Sequence, residues 1–305
     1  MSSSPSSPAI SWWLIAGIGV CALIWGTTWF AITLQLGTVD SVASVVWRFG
    51  LASMLLFGFC RVTGRPMRLT RPQHLAALGQ GAFVFAVSYA FVYASEARVA
   101  SAIVAVIFAS LAFLNLVLFR FAAGQKAAPI AWAGAALGLL GVAVLSGSEI
   151  LSARLGPTAA IGIAFAAIAV CSSAVGNYCA WRGQTAGARV MPSTAWAMAY
   201  GTGMLVLYGL ATGVSWRIEP TAAYLASLLY LSVFGSVVAF VIYFTIARSR
   251  GYALASYISA LTPPIAMLVS VLFEGARFGW PALAGLGLVL AGQALLIRAP
   301  RPAEA

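Results

Sequence analysis

The sequence predicts an all-α membrane protein: ten transmembrane helices forming two inverted five-helix repeats around a central cavity, with both termini cytoplasmic. Three observations predict it. Of the 305 residues, 62% are hydrophobic and 8% charged, at a mean hydropathy of +0.98, whereas soluble domains use roughly 25% charged residues. Basic residues crowd into alternate loops. A glycine-spaced segment in the first half recurs in the second.

A helix crossing hydrocarbon needs about 20 mostly apolar residues. Apolar runs between Gly, Pro and charged breaks place spans at 12–35, 41–60, 74–95, 99–119, 129–146, 158–181, 191–212, 222–247, 252–273 and 281–298. Residues 1–11, MSSSPSSPAIS, have no basic cluster ahead of the first apolar run and read as a disordered tail rather than a cleavable signal. The first repeat is expected over 12–146 and the second over 158–298, with a short C-terminal tail at 299–305.

Loop charge tests the count. With the N-terminus inside, twelve of the 17 basic residues fall in inner loops and the tail, from Arg61 to Arg71, at Arg120, Lys126, Arg182, Arg189, Arg248 and Arg250, and at Arg298 and Arg301. Only Arg98, Arg154, Arg217 and Arg277 fall outside, as the positive-inside rule requires of an even number of spans. The net charge of +11 is therefore a topology signal, and nucleic acid is not an expected partner. Membrane lipid is.

The repeat shows when AWAGAALGLLGVAVL (131–145) is set over ALAGLGLVLAGQALL (282–296): Gly134 matches Gly285, Gly141 matches Gly292, and with the same offset Gly124 matches Gly275. Five spans per half is an odd number, so the second half enters the membrane from the opposite face. Inverted repeats of this kind place a site near the midplane in secondary transporters.

Candidate site residues are the polar and aromatic ones that a hydrocarbon core does not need. In IWGTTWFAI (24–32), Trp25 and Trp29 lie one turn apart at mid-depth, too deep for an interfacial belt, with Gly26, Thr27 and Thr28 between them. A tight helix crossing or a cavity wall would each account for them. On the third span Phe85, Tyr89 and Tyr93 share one face with Ser88 beside them, and Gln80 lies lower; Tyr93 could equally be a belt residue. Asn177 and Trp181 share a face of the sixth span; Asn115, Ser256 and Tyr257 complete the set. Arg48, the one charge inside a span, is expected to reach the outer headgroups or pair with Glu96 rather than meet a substrate.

The segments WGTTWFAI and VVWRFGLASMLL (45–56), with the glycine-spaced fifth and tenth spans, resemble the drug/metabolite transporter superfamily, within it the ten-helix EamA-type branch and its bacterial aromatic amino-acid exporters. The resemblance covers essentially residues 12–298. It implies that helices 1–4 and 6–9 surround a cavity while 5 and 10 are peripheral. A hinge carries over to Pro263-Pro264 in the ninth span alone, because the fourth, IFASLAFLNLVLF (107–119), lacks the family proline. Each proline frees a carbonyl one turn earlier, for a neighbour or a ligand to satisfy.

Absences narrow the chemistry. No Asp or Glu is expected deep in a span and His74 is the sole histidine, so proton coupling is absent or routed through edge groups. Cys21, Cys60, Cys171 and Cys179 lack metal-ligand spacing; neither metal nor cofactor is expected. An intramembrane hydrolase would need a base beside Ser172 or Ser173, where His74 lies at the wrong depth, and no charged ring suggests a channel. The chain therefore reads as a non-enzymatic carrier of small zwitterions in a bacterial cytoplasmic membrane, with hydrophobic or aromatic amino acids foremost and lipophilic cations the alternative; the resemblance implies that it works as an exporter.

Overall fold

A computed structural model describes residues 12–151, 156–255 and 257–298. Among these there is no strand. Ten helical rods follow in order: α1 Trp12–Thr33, α2 Ser41–Val62, α3 Arg71–Glu96, α4 Ser101–Ala122, α5 Pro129–Leu151, α6 Gly156–Thr185, α7 Val190–Thr212, α8 Ala222–Arg250, α9 Tyr257–Phe273 and α10 Trp280–Arg298. A single turn, Tyr252–Ala255, leads into α9. By length and apolarity alone, six of them (α1–α4, α6 and α8) can cross a membrane, while α5, α9 and α10 contain shorter apolar stretches. Large apolar side chains such as Leu207, Leu210, Leu268 and Leu272 face outward, as lipid contact demands.

Polar residues start and end the rods. Asp40 Oδ1 accepts the Val42 N–H at 2.8 Å, and Gln73 Oε1 closes a capping box on the Thr70 N–H at 3.0 Å. Gly124 and Gly275, at φ +66° and +65°, end α4 and α9 in matching left-handed turns. There Gln125 N–H reaches back to Phe119 O, and Ala276 N–H to Ser270 O.

Four rods are irregular in the middle, which the sequence reading did not foresee for three of them. α3 runs as a π-helix over Gly81–Ser88 and α8 over Val233–Val238. α4 is interrupted at Ala109–Ser110 although it has no proline, so the expectation of a break in the ninth span only needs correction. Ser110 Oγ bonds Ile107 O at 2.6 Å, and Gln293 Nε2 from α10 caps Ala109 O at 3.1 Å. The amide and the hydroxyl replace what proline does elsewhere.

Close approach is bought with glycine. α5 and α10 cross with their backbones in contact: a Cβ on Gly141 would lie 2.5 Å from Gly285 O, one on Gly285 2.7 Å from Gly141 O, and one on Gly292 2.5 Å from Gly138 N. Since 141 meets 285 and 134 meets 292, the two helices are antiparallel. Gly81 and Gly201 join α3 to α7 in the same way.

G285A should therefore lower thermal stability in detergent by about 1–3 kcal/mol through overpacking. G287A, whose Cβ would meet nothing within 4 Å, should be neutral or gain up to about 1 kcal/mol of helix propensity. Melting followed by size-exclusion fluorescence separates the two.

Candidate functional site

One cavity lies at mid-height between the halves of the bundle, walled by α1–α4 on one side and α6, α8 and α9 on the other. Among the described residues none of α5, α7 or α10 lines it. It holds about 60 Å³ open to water-sized molecules. A single water needs about 10–15 Å³ by that measure, so a larger guest must part the helices.

The α1 wall explains the IWGTTWFAI stretch. Trp25 Nε1 donates to Gly235 O at 3.2 Å, in the π-segment of α8, where the Ala239 N–H turns to Phe234 O and Ser236 O instead. Its ring packs on Phe240 and Tyr243 at 5.2 and 5.3 Å. Gly26 admits α9, since a Cβ there would come within 2.6 Å of Ile265. Thr27 returns its hydroxyl to Leu23 O and Ile24 O and meets Tyr230 OH at 2.6 Å, while Thr28 bonds Trp25 O. Trp29 packs on Phe108 at 5.1 Å, and its buried Nε1 has no acceptor. Crossing residues and cavity residues alternate along the same two turns.

Arg48 of α2 is fully buried in the cavity wall, not at the headgroups. Nε donates to Ser236 Oγ at 3.0 Å and Nη2 to Gly235 O at 3.5 Å, while the guanidinium lies 4.6 Å from the Tyr89 ring centroid and 5.1 Å from that of Phe49. Nη1 has no partner. The expected pair with Glu96 is not formed: both Glu96 carboxylate oxygens are buried without a hydrogen bond. Aromatic faces and the π-segment draw the side chain inward instead of letting it snorkel.

Deeper in the cavity Asn177 Nδ2 donates to Tyr243 OH at 3.1 Å and to Asn115 Oδ1 at 3.3 Å. Ser173 on the wall is bonded to Ser88 Oγ at 2.8 Å. Ser259 and Thr262 come from α9, where Thr262 Oγ1 donates to Ser259 O at 3.0 Å, the carbonyl that Pro263 deprives of its helical donor. That carbonyl is thus already satisfied within the helix.

Of the residues singled out in the sequence, Trp25, Thr28, Trp29, Tyr89 and Asn177 line the cavity. Phe85 sits behind its wall, packed on Phe49 and Phe240. Ser88 touches it only through Ser173. Tyr93 is neither belt nor lining: it is fully buried and donates to Gln35 Oε1 at 2.7 Å. Gln80 is buried immediately before the π-segment, outside the lining. Trp181 packs on Phe119 and Tyr178 beyond the cavity. Ser256 lies outside the described residues, as does the side chain of Tyr257. Pro263 and Pro264 lie inside α9, next to the lining residue Thr262.

Sequence reasoning passed over Tyr243, Phe240, Phe108 and Thr262 and misplaced Arg48. A signal existed for two of them. Thr262 directly precedes the proline pair, and Arg48 is the only charge within a span.

With the geometry in place, comparison with known proteins adds a lineage. The EamA-like transporter family pattern matches residues 11–147 and again 154–298. The chain is 29% identical over 270 residues to the uncharacterized inner membrane transporter YedA of Escherichia coli K12, covering 86% of this chain and 84% of that one. The O157:H7 counterpart matches equally. A protein of known crystal structure, 18% identical, superposes with a TM-score of 0.70 over 93% of this chain and 96% of its own, a likeness of fold alone.

T262V removes the donor that replaces the missing proline N–H and should destabilise the protein by about 1–3 kcal/mol. T245V removes the same kind of bond, to Val241 O, from an exposed position on an uninterrupted stretch of α8 and should change stability by less than about 0.5 kcal/mol. Comparing melting temperatures of the two variants checks this.

Proposed function

The chain belongs to the EamA-like transporter family, and from that premise we propose that it exports small zwitterionic metabolites, hydrophobic and aromatic amino acids foremost, by alternating access between two inverted repeats. It is a membrane transporter, a multi-pass protein of the bacterial inner membrane like its YedA relative. The observation that carries the substrate reading is the mixed wall of the cavity. Trp25, Trp29, Tyr89, Phe108 and Phe240 offer ring faces, while Arg48, Asn177, Ser259 and Thr262 offer a few polar groups.

Several features support the duplication. The family pattern matches once per half. π-Segments occur at corresponding places in α3 and α8, and Gly124 and Gly275, matched in the sequence alignment, adopt the same backbone conformation. Exchanging the halves carries 134 to 285 and 292 to 141, so it turns the contact between Gly134 and Gly292 into the one between Gly285 and Gly141. A contact that maps onto its own partner is what a two-fold relation between repeats produces. In the ten-span reading α5 and α10 form the pivot, and the interruption of α4 together with the proline pair inside α9 lets each half bend about the cavity.

A lipophilic-cation substrate fits less well, because Arg48 places a guanidinium in the cavity and no Asp or Glu lines it. An intramembrane hydrolase fits worst. His74 Nδ1 is bonded to Tyr200 OH at 2.8 Å and its ring packs on Trp196, while Ser172 donates to Phe83 O. Proton coupling, where present, is left to edge groups, of which Glu96 is the buried carboxyl.

The test joins access to transport. In a background with Cys21, Cys60, Cys171 and Cys179 replaced, Y89C and N177C should react with a water-soluble maleimide, and phenylalanine should protect them. In proteoliposomes, labelled phenylalanine should show counterflow at least tenfold above tetraethylammonium. Thiols sealed in every condition, together with no amino-acid counterflow, would overturn the reading.

A further inference from the structure

The lining of the cavity includes two buried N–H donors with no acceptor, Arg48 Nη1 and Trp29 Nε1. Unpartnered donors are rare in folded proteins because each forfeits the hydrogen bonds it made to water, and the loss is largest for a charged one. Trp25, one turn from Trp29 on the same helix, shows how an indole is normally satisfied here, through Gly235 O. Arg48 likewise spends Nε and Nη2 on Ser236 Oγ and Gly235 O, with the Tyr89 and Tyr93 side chains beside it, and its Nη1 makes no hydrogen bond. Both donors are left over on one wall.

We propose that Arg48 Nη1 and Trp29 Nε1 form the carboxylate site of this cavity, so that a carboxylate on an apolar or aromatic body is the obligatory feature of the ligand and an ammonium group is not. This rests on the transport reading above and narrows its substrate class. A carboxylate is acceptor-only and presents two oxygens, which suits two donors that have nothing else to bind. No Asp or Glu is among the described residues that line the cavity; Glu96, one turn beyond the lining residue Val92 on α3, is buried within reach of the Arg48 charge but makes no hydrogen bond. A cation entering would meet the guanidinium with no acid on the described lining itself to pair with. The body of the ligand would rest on rings already present: Phe240 and Tyr243 on α8 and Phe108 on α4.

Binding to the purified full-length protein separates the site from transport. Thermal shift and tryptophan fluorescence would be measured with three probes of one shape: phenylalanine, 3-phenylpropanoate and 2-phenylethylamine. Phenylalanine and 3-phenylpropanoate should bind within about threefold of each other, and phenylethylamine at least tenfold more weakly. W29F, which keeps a ring and loses the N–H, should weaken both carboxylates about tenfold and leave phenylethylamine unchanged; R48Q should weaken them about tenfold to a hundredfold. Phenylethylamine binding as tightly as phenylpropanoate, or carboxylates unaffected by W29F, would overturn the proposal, as would no binding of either carboxylate at 10 mM. If the carboxylates bind as expected but show no counterflow, the transport reading fails and the site stands.

Discussion

In hydrocarbon no water is available to satisfy a broken backbone hydrogen bond, and in each of the four irregular rods a carbonyl at or near the irregularity is answered by a side chain from within the bundle. The π-segment of α8 offers Gly235 O to Trp25 and Arg48. That of α3 offers Phe83 O to Ser172. The interruption of α4 gives Ala109 O to Gln293, and the proline pair of α9 gives Ser259 O to Thr262. All four irregular rods contribute residues to the cavity, so the departures from ideal helix gather where a guest would sit. Regular helices alone would have closed that space, since an unbroken α-helix keeps its carbonyls to itself.

The same constraint explains which residues are small. Side chains on α5 and α10 cannot gain from a hydrophobic effect against one another in lipid, so their association relies on contact between backbones. Gly141 and Gly285 allow that contact, and Gly292 extends it onto Gly134 and Gly138. Gly26 and Gly176 do a related service nearer the cavity, letting α1 lie against Ile265 and α6 against the π-segment of α3. Other glycines, such as Gly203 in α7 and Gly287 in α10, meet nothing and have no such duty.

The rods themselves were legible because burial in lipid forces long apolar runs, and their order and approximate ends follow from punctuation such as Gly64, Gly124 and Gly213. The glycine match between the halves was legible for the same reason: only glycine lets two backbones touch. What stayed hidden depends on the partner rather than on the residue. Nothing in GAFVFAVS or VFGSVV announces a π-helix, and nothing in IFASLAF announces a break, because the groups that compensate are Ser172, Trp25 and Gln293, 89 or more positions away. Arg48 was misjudged on the same account. Taken alone it should snorkel, but Tyr89, Phe49 and the carbonyls of α8 give it a better environment inside. Tyr93, plausible as a belt residue by depth, is claimed by Gln35.

Arg48 then has two attachments that pull in different directions. It belongs to the first half of the chain, and the groups that its Nε and Nη2 bond, Ser236 Oγ and Gly235 O, belong to the second. Its remaining nitrogen is the one inferred to hold the ligand. A guest that binds Nη1 therefore acts on a side chain that already ties the halves together, and any rearrangement that moves α2 against α8 must change the geometry of both contacts at once. A ligand can shift such an equilibrium only by as much as its affinity differs between the two arrangements. Here that difference has a physical source. In the proposed complex a carboxylate held between Arg48 and Trp29 would link α2 to α1 within one half while Nε and Nη2 keep α2 tied to α8, so occupancy and the relative position of α2 and α8 would be coupled through a single guanidinium.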